Sequence, residues 1–123
     1  MVTNTLPYVG VARSRYVDKR GRSPFGVWFN ELNGVSAVKV RVAVSRLAQG
    51  NLSNVKSVGS GVLEYRIDFG PGYRICFGRD GEELVVLLAG GTKKRQQQDI
   101  VAATGYWQDY KRRKRVDRDA VNA

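Results

Sequence analysis

The sequence contains no histidine and a single cysteine, Cys76. The first absence excludes a histidine general base and most zinc chemistry built on imidazole. The second excludes an internal disulfide and gives no support for a cysteine metal cluster; a lone thiol suits a reducing cytoplasm and reads as a small, partly buried apolar side chain. No long apolar run exists, so no membrane-spanning helix is expected, and Met1-Val-Thr-Asn-Thr-Leu-Pro lacks the basic-then-hydrophobic pattern of a secretory signal. Acidic residues are also scarce. Against 11 Asp and Glu stand 21 Lys and Arg, a formal charge of +10. Such an excess repels itself and favours polyanions or an acidic protein as partners, with nucleic acid ahead of a membrane surface. Any catalysis must use Arg, Lys, Tyr, Asp or Glu. The length of 123 residues fits one domain spanning 1–123.

What is present is concentrated between Gly61 and Gly81. Leu63, Tyr65, Ile67 and Phe69 alternate with Glu64, Arg66 and Asp68; after Gly70-Pro71-Gly72, Tyr73, Ile75 and Phe77 alternate with Arg74 and Cys76. A three-residue loop with glycine at its end predicts an antiparallel hairpin in which Phe69 faces Tyr73, Ile67 faces Ile75 and Tyr65 faces Phe77. Arg74 then lies opposite Asp68 and diagonal to Arg66, roughly 7–8 Å away. Two arginines on one polar face suit phosphate, because each guanidinium is a permanently charged planar fork. Ordinary ion pairing of Arg66 and Arg74 with Glu64 and Asp68 is the competing reading.

Elsewhere, Tyr8 to Val17 suggests a first strand, and Asp18 to Arg22 a turn. Ser23-Pro24 suits a helix start, with Phe25, Trp28, Phe29 and Leu32 at helical spacing until Asn33-Gly34. Ala37 to Val44 fits either period: alternation argues strand, whereas Val35, Val38, Val42 and Leu47 share one helical face and Gln49-Gly50-Asn51 suits a helix stop. Asn51 to Ser60 reads as a polar connection. Asp80-Gly81 is a tight-turn signal before Leu84 to Ala89, a central strand ended by Gly90-Gly91. A last helix begins after Thr92 to Arg95 and buries Ile100, Ala103, Trp107 and Tyr110. Lys111 to Arg115 is a basic run, and the tail from about 111 is expected to fray.

Leu63-Glu-Tyr-Arg, Gly70-Pro-Gly-Tyr-Arg-Ile and Gly90-Gly-Thr-Lys-Lys, in that order, resemble the RelE/ParE toxin superfamily, most of all its HigB-like addiction module killer branch. Pro24-Phe-Gly-Val-Trp-Phe, Leu47-Ala-Gln-Gly-Asn-Leu, Asp99-Ile and Tyr106-Trp-Gln-Asp-Tyr extend the likeness over roughly residues 15–113. The resemblance implies an α+β, RelE-like fold: a mainly antiparallel sheet, an N-terminal two-helix hairpin that makes Ala37 to Val44 helical, and a C-terminal helix. It also implies the toxin of a type II toxin–antitoxin pair, a cytoplasmic endoribonuclease that cuts mRNA on the ribosome by 2′-OH attack, with no metal or cofactor. By matching position, Arg74 would stabilise transition-state charge, Arg66 would clamp phosphate, and Lys93 or Lys94 would serve the leaving oxygen. Arg95 and the run Lys111, Arg112, Arg113, Lys114 and Arg115 would add nucleic-acid binding. The implied partners are a helix-turn-helix antitoxin, the ribosome and mRNA, with no membrane. In one respect the chain departs from the family's RNases: no tyrosine or histidine acid–base residue lies between Lys93 and Ala103. A ParE-like DNA gyrase inhibitor is therefore the alternative, followed by a basic RNA-binding module without activity.

Overall fold

The computed structural model of the chain describes residues 12–82 and 84–122. Strand β1 (Ala12–Arg15) precedes helices α1 (Pro24–Asn30) and α2 (Gly34–Ala48). Four strands follow: β2 (Val55–Gly59), β3 (Val62–Ile67), β4 (Tyr73–Asp80) and β5 (Leu84–Thr92). A 3-10 turn (Lys93–Arg95) leads into helix α3 (Gln96–Asn122). The part of the expected first strand from Tyr8 to Val11 lies outside the described residues. Among the described residues, no helix is long and apolar enough to cross a membrane.

Local chemistry explains where the helices start and stop. The Ser23 hydroxyl accepts the Gly26 N–H at 3.0 Å with Pro24 at the first helical position, and the Asn33 side chain accepts the Ser36 N–H at 2.9 Å. Asn33-Gly34 therefore opens α2 as well as separating it from α1. At the other end, Gly50 takes a left-handed φ of 81° while the Asn51 N–H bonds the Arg46 carbonyl, a glycine-capped helix stop. The buried stripe of α2 is Ser36, Val40, Ala43 and Leu47. Of the face expected from the sequence only Leu47 is buried, because Val35, Val38 and Val42 point to solvent.

The sheet order is β1-β5-β4-β3-β2. Strands β2 to β5 form an antiparallel meander, but β1 runs parallel to β5, so the sheet is mixed rather than mainly antiparallel. Nor is there an N-terminal two-helix hairpin. Strand β1 comes first, and each helix buries its side chains on the sheet: Phe25 of α1 and Val40, Ala43 and Leu47 of α2 share a core with Tyr65, Ile75, Phe77, Val85 and Leu87. On the opposite face α3 buries Ala103 and Trp107 against Val62, Cys76, Val86 and Leu88. The fold is thus a sheet covered on both sides.

Four further expectations are corrected. The β3–β4 register pairs Ile67 with Tyr73, Tyr65 with Ile75 and Arg66 with Arg74, two residues away from the expected pairing. Asp68 and Phe69 leave the strand and join a five-residue loop in which Gly70 and Gly72 have φ of 57° and 80°. A slip of two preserves every side chain's face, so alternation could not expose it. Val55–Gly59 is an edge strand, not a connection; its polar composition reflects one solvated edge. Gly90 and Gly91 lie inside β5. A Cβ on Gly90 would enter the Trp28 ring and one on Gly91 the Asp99 carboxyl, so these glycines admit bulky neighbours on opposite faces. Finally, α3 continues helical to Asn122 instead of fraying from about 111.

Gly90→Ala should cost about 1–3 kcal/mol, the usual range for overpacking a filled core. Urea unfolding of the variant beside Gly105→Ala, which meets no neighbour within 4 Å and lies on regular helical backbone, separates this close approach from general glycine effects; equal losses would refute it.

Candidate nucleic-acid interface

Arg74 and Glu64 define the centre of the polar sheet face. Both lie on the α3 side, by alternation from Cys76, and both are buried, at 8% and 1% exposure. Arg74 Nε stands 3.4 Å from Glu64 Oε1 and makes no hydrogen bond among the described residues. The carboxylate is secured by Gln96 of α3, whose Nε2 donates to both oxygens at 3.0 and 3.1 Å, while Lys56 of β2 approaches to 4.0 Å. Ion pairing is therefore the observed state of Arg74. Its Nη1 reaches the Gly72 carbonyl at 3.5 Å, and that carbonyl also accepts the Lys93 N–H at 2.8 Å. The Gly70-Pro71-Gly72 loop and the end of β5 are thereby joined, which sets the root of Lys93 beside Arg74.

Arg66 sits directly across from Arg74 in the register, closer than the diagonal expected from the sequence. Two cations face one another there, a repulsive placement unless an anion lies between them or each has its own carboxylate. Arg74 has Glu64. Among the described residues, Arg66 pairs only with Asp68 at 3.8 Å, an exposed pair worth little in water. Arg66 also lines a groove of about 310 Å³ between α2 and β3, with Lys39 and Arg46 from the helix and Phe69 from the loop. Lys39 Nζ lies 4.9 Å from the Phe69 ring centroid. Sequence reasoning named Glu64 as an ion-pair partner but missed Lys39, Arg46 and Gln96. The first two read as polar positions of a helix, and nothing local marks Gln96 as the partner of a residue 32 positions earlier.

Lys93, Lys94 and Arg95 are exposed on the 3-10 turn. One turn into α3, Asp99 packs over Gly91, the register partner of Arg74. Burial raises its carboxyl above the usual range, against the opposing charge of Arg95. Burial likewise pushes the Cys76 thiol up to about 12, helped by the charges of Glu64 and Asp99, so this cysteine stays protonated and inert.

The basic run at the far end of α3 is not brought to this site. Fifteen residues of helix separate Lys111 from Gln96, about 22 Å of rise. Much of the run is engaged in holding the helix down. Arg112 and Arg113 pair with Asp109, Arg113 also donates to the Val17 carbonyl, and Lys114 pairs with Asp80. Lys111 Nζ lies 5.6 Å from the Trp107 ring centroid. The Tyr16 hydroxyl donates to Asp109 at 2.7 Å and, with Arg112, holds that carboxyl down at about 2. Lys114 and the Tyr110 hydroxyl lower Asp80 in the same way. Within the run, Arg115 makes no ion pair among the described residues.

No family model matches the chain. It is 40% identical over 63 residues to an uncharacterized protein of Haemophilus influenzae, a match that covers 50% of this chain and 64% of that protein. The aligned part thus falls short of two thirds of the relative's length, and the relative carries no activity to compare.

Two outcomes follow from this geometry. Glu64→Ala should lose about 3–5 kcal/mol in urea unfolding, because it strands the Arg74 charge in the interior, whereas Glu64→Gln should lose less. A loss under about 1 kcal/mol in both variants would mean that the pair is not effectively buried. Asp80 and Asp109 have depressed folded-state pKa values, so their stabilisation is present above about pH 4, the unfolded value, and disappears as pH falls towards 2. The thermal midpoint of Asp109→Asn should fall less steeply than that of the unaltered chain between these limits; parallel curves would count against the clamp.

Proposed function

We propose that this chain is the toxin of a type II toxin–antitoxin pair, a member of the HigB-like branch of the RelE/ParE superfamily that cuts mRNA on the ribosome. The observation that supports this reading best is the opposed pair Arg66 and Arg74 with Lys93 rooted beside them, at one end of a rigid sheet in a chain of charge +10. Opposed cations on a sheet favour an anion between them, and a backbone phosphate has the charge and the oxygen geometry for two guanidinium forks.

In the reaction, the ribose 2′-OH attacks the adjacent phosphorus, the P–O5′ bond breaks, and the products are a 2′,3′-cyclic phosphate and a 5′-OH. The 2′-OH proton must leave and the 5′-oxygen must gain one. Arg66 clamps the phosphate and Arg74, through its Nη edge, stabilises the added negative charge of the phosphorane. Lys93 or Lys94 serves the leaving oxygen. Asp99 fills the role for which the sequence offered no tyrosine or histidine: a carboxyl raised by burial is a stronger base than an exposed one, and it stands over the register partner of Arg74. Glu64 is a positioning residue, since its carboxylate, fixed by Gln96, limits where the Arg74 guanidinium can lie. A helix-turn-helix antitoxin is the proposed partner and the cytoplasm the proposed compartment.

One observation favours the ParE-like gyrase inhibitor as a second reading. Arg74 is already neutralised by Glu64 and only 8% exposed, which a binding protein tolerates better than a nuclease.

A translating extract distinguishes the two. The unaltered chain should cut ribosome-bound mRNA, and a deoxy substitution at the scissile nucleotide should abolish cutting; stalled gyrase supercoiling with intact mRNA would transfer the assignment to the second reading. Lys93→Ala with Lys94→Ala should lower cleavage by roughly 10² with little change in thermal midpoint, because both side chains are exposed. Cleavage should rise with pH through an Asp99 pKa above the usual carboxylate range, and Asp99→Asn should remove that limb of the profile. A limb that survives the substitution would take Asp99 out of the mechanism.

A further inference from the structure

A second basic feature lies at the β1 edge of the sheet, away from Arg66 on β3 and Arg74 on β4. A cavity of about 480 Å³ opens between the edge strand β1 and helices α1 and α2. Its floor is apolar, built from Phe25, Phe29 and Leu87, and its rim carries Arg13, Arg15 and Arg41. Arg15 Cζ lies 5.3 Å from the Phe25 ring centroid, and Arg41 Cζ 5.4 Å from that of Phe29. Among the described residues none of these arginines makes an ion pair. The residues before β1 include no Asp or Glu, so that stretch cannot neutralise them.

Among the described residues, the outer backbone edge beside the cavity is also unpaired. Strand β1 is at the sheet edge, and the Tyr16 N–H bonds the Leu87 carbonyl at 2.9 Å on its inner side. Peptide groups alternate sides along a strand, so those of Arg13 and Arg15 face outward. Neither has a backbone partner among the described residues. The same two residues direct their side chains to the cavity, one strand repeat apart. Free peptide groups, cations at alternate positions and an apolar floor therefore meet at one edge.

The geometry points to an interaction surface for an acidic, extended segment of another protein. The segment adds a strand outside β1, sets carboxylates against Arg13, Arg15 and Arg41, and inserts an apolar side chain over Phe25 and Phe29. Strand addition supplies the backbone bonds and alternate side chains supply the selectivity. A nucleic acid meets the charges but not the strand edge, since it has no peptide groups to place in register. The inference does not rest on the nuclease reading, because β1 is separated by β5 from β4, which carries Arg74, and lies further still from β3, which carries Arg66.

The test uses the full chain and a short fluorescein-labelled peptide that places glutamate, leucine and glutamate on one face of an extended strand, with serine between them. Binding followed by anisotropy should weaken at least about tenfold in the Arg13→Glu, Arg41→Glu double variant. The thermal midpoint should hold, as both arginines are exposed and outside any ion pair among the described residues. Peptide addition should slow amide hydrogen exchange at Arg13 and Arg15. Failure of the unaltered chain to bind the peptide would overturn the proposal. So would equal binding of a scrambled peptide, or exchange at these two amides that the peptide leaves unchanged. Displacement of the peptide by a short oligouridylate whose own affinity drops equally in the double variant would assign the surface to RNA instead.

Discussion

Glu64 is the point on which the polar half of this molecule depends. A carboxylate at 1% exposure is stable only if cations and donors replace the water it has lost. Here they come from three directions: Arg74 on the neighbouring strand, Gln96 at the start of α3, and Lys56 across the other strand. The same contacts fix β2, β3 and β4 laterally and seat the N-terminal end of α3 on the sheet. They also decide what the arginines can do. Arg74 is anchored and mostly withdrawn, while Arg66, directly opposite, keeps an exposed and weakly paired guanidinium.

The far end of α3 is governed by charge in a different way. Its cations do not simply project into solvent. Asp109 collects Arg112, Arg113 and Tyr16, and Asp80 collects Lys114 and Tyr110. Both carboxyls carry two kinds of donor, a cation and a phenol, which explains their depressed pKa values. A segment that composition marks as a nucleic-acid tail is thus largely a fastening between the helix, the exit of β1 and the β4–β5 turn. The free basic surface lies elsewhere: on the 3-10 turn, in the groove of Lys39, Arg46 and Arg66, and around the β1 edge.

Legibility followed the range of the interaction that decided each feature. The helix start at Ser23, the stop at Gly50 and the turn at Asp80-Gly81 depend on residues within a few positions of one another, and the sequence carries them openly; Asn33 reads as the end of α1 and proves also to cap α2. The buried face of α3 was equally plain, since Ile100, Ala103, Trp107 and Tyr110 recur at helical spacing. For α2, alternating valines imitate a strand, and its buried stripe differs by a rotation from the one that pattern suggests. The hairpin's faces were readable, but its register was not, because a two-residue slip leaves alternation intact.

The sequence by itself determined the chemistry available to this protein: a strongly cationic chain with no imidazole, one thiol and arginines on the polar side of a hairpin. These follow from composition and from the two-residue period of a strand, neither of which needs a third dimension. Only the tertiary structure decided which cations are free. Strand direction, the parallel seat of β1 beside β5, the closeness of Gln96 to Glu64 and the approach of Asp99 to Gly91 all join residues far apart in the chain. Such contacts arise from packing two layers of helix on one sheet, and no local pattern encodes them.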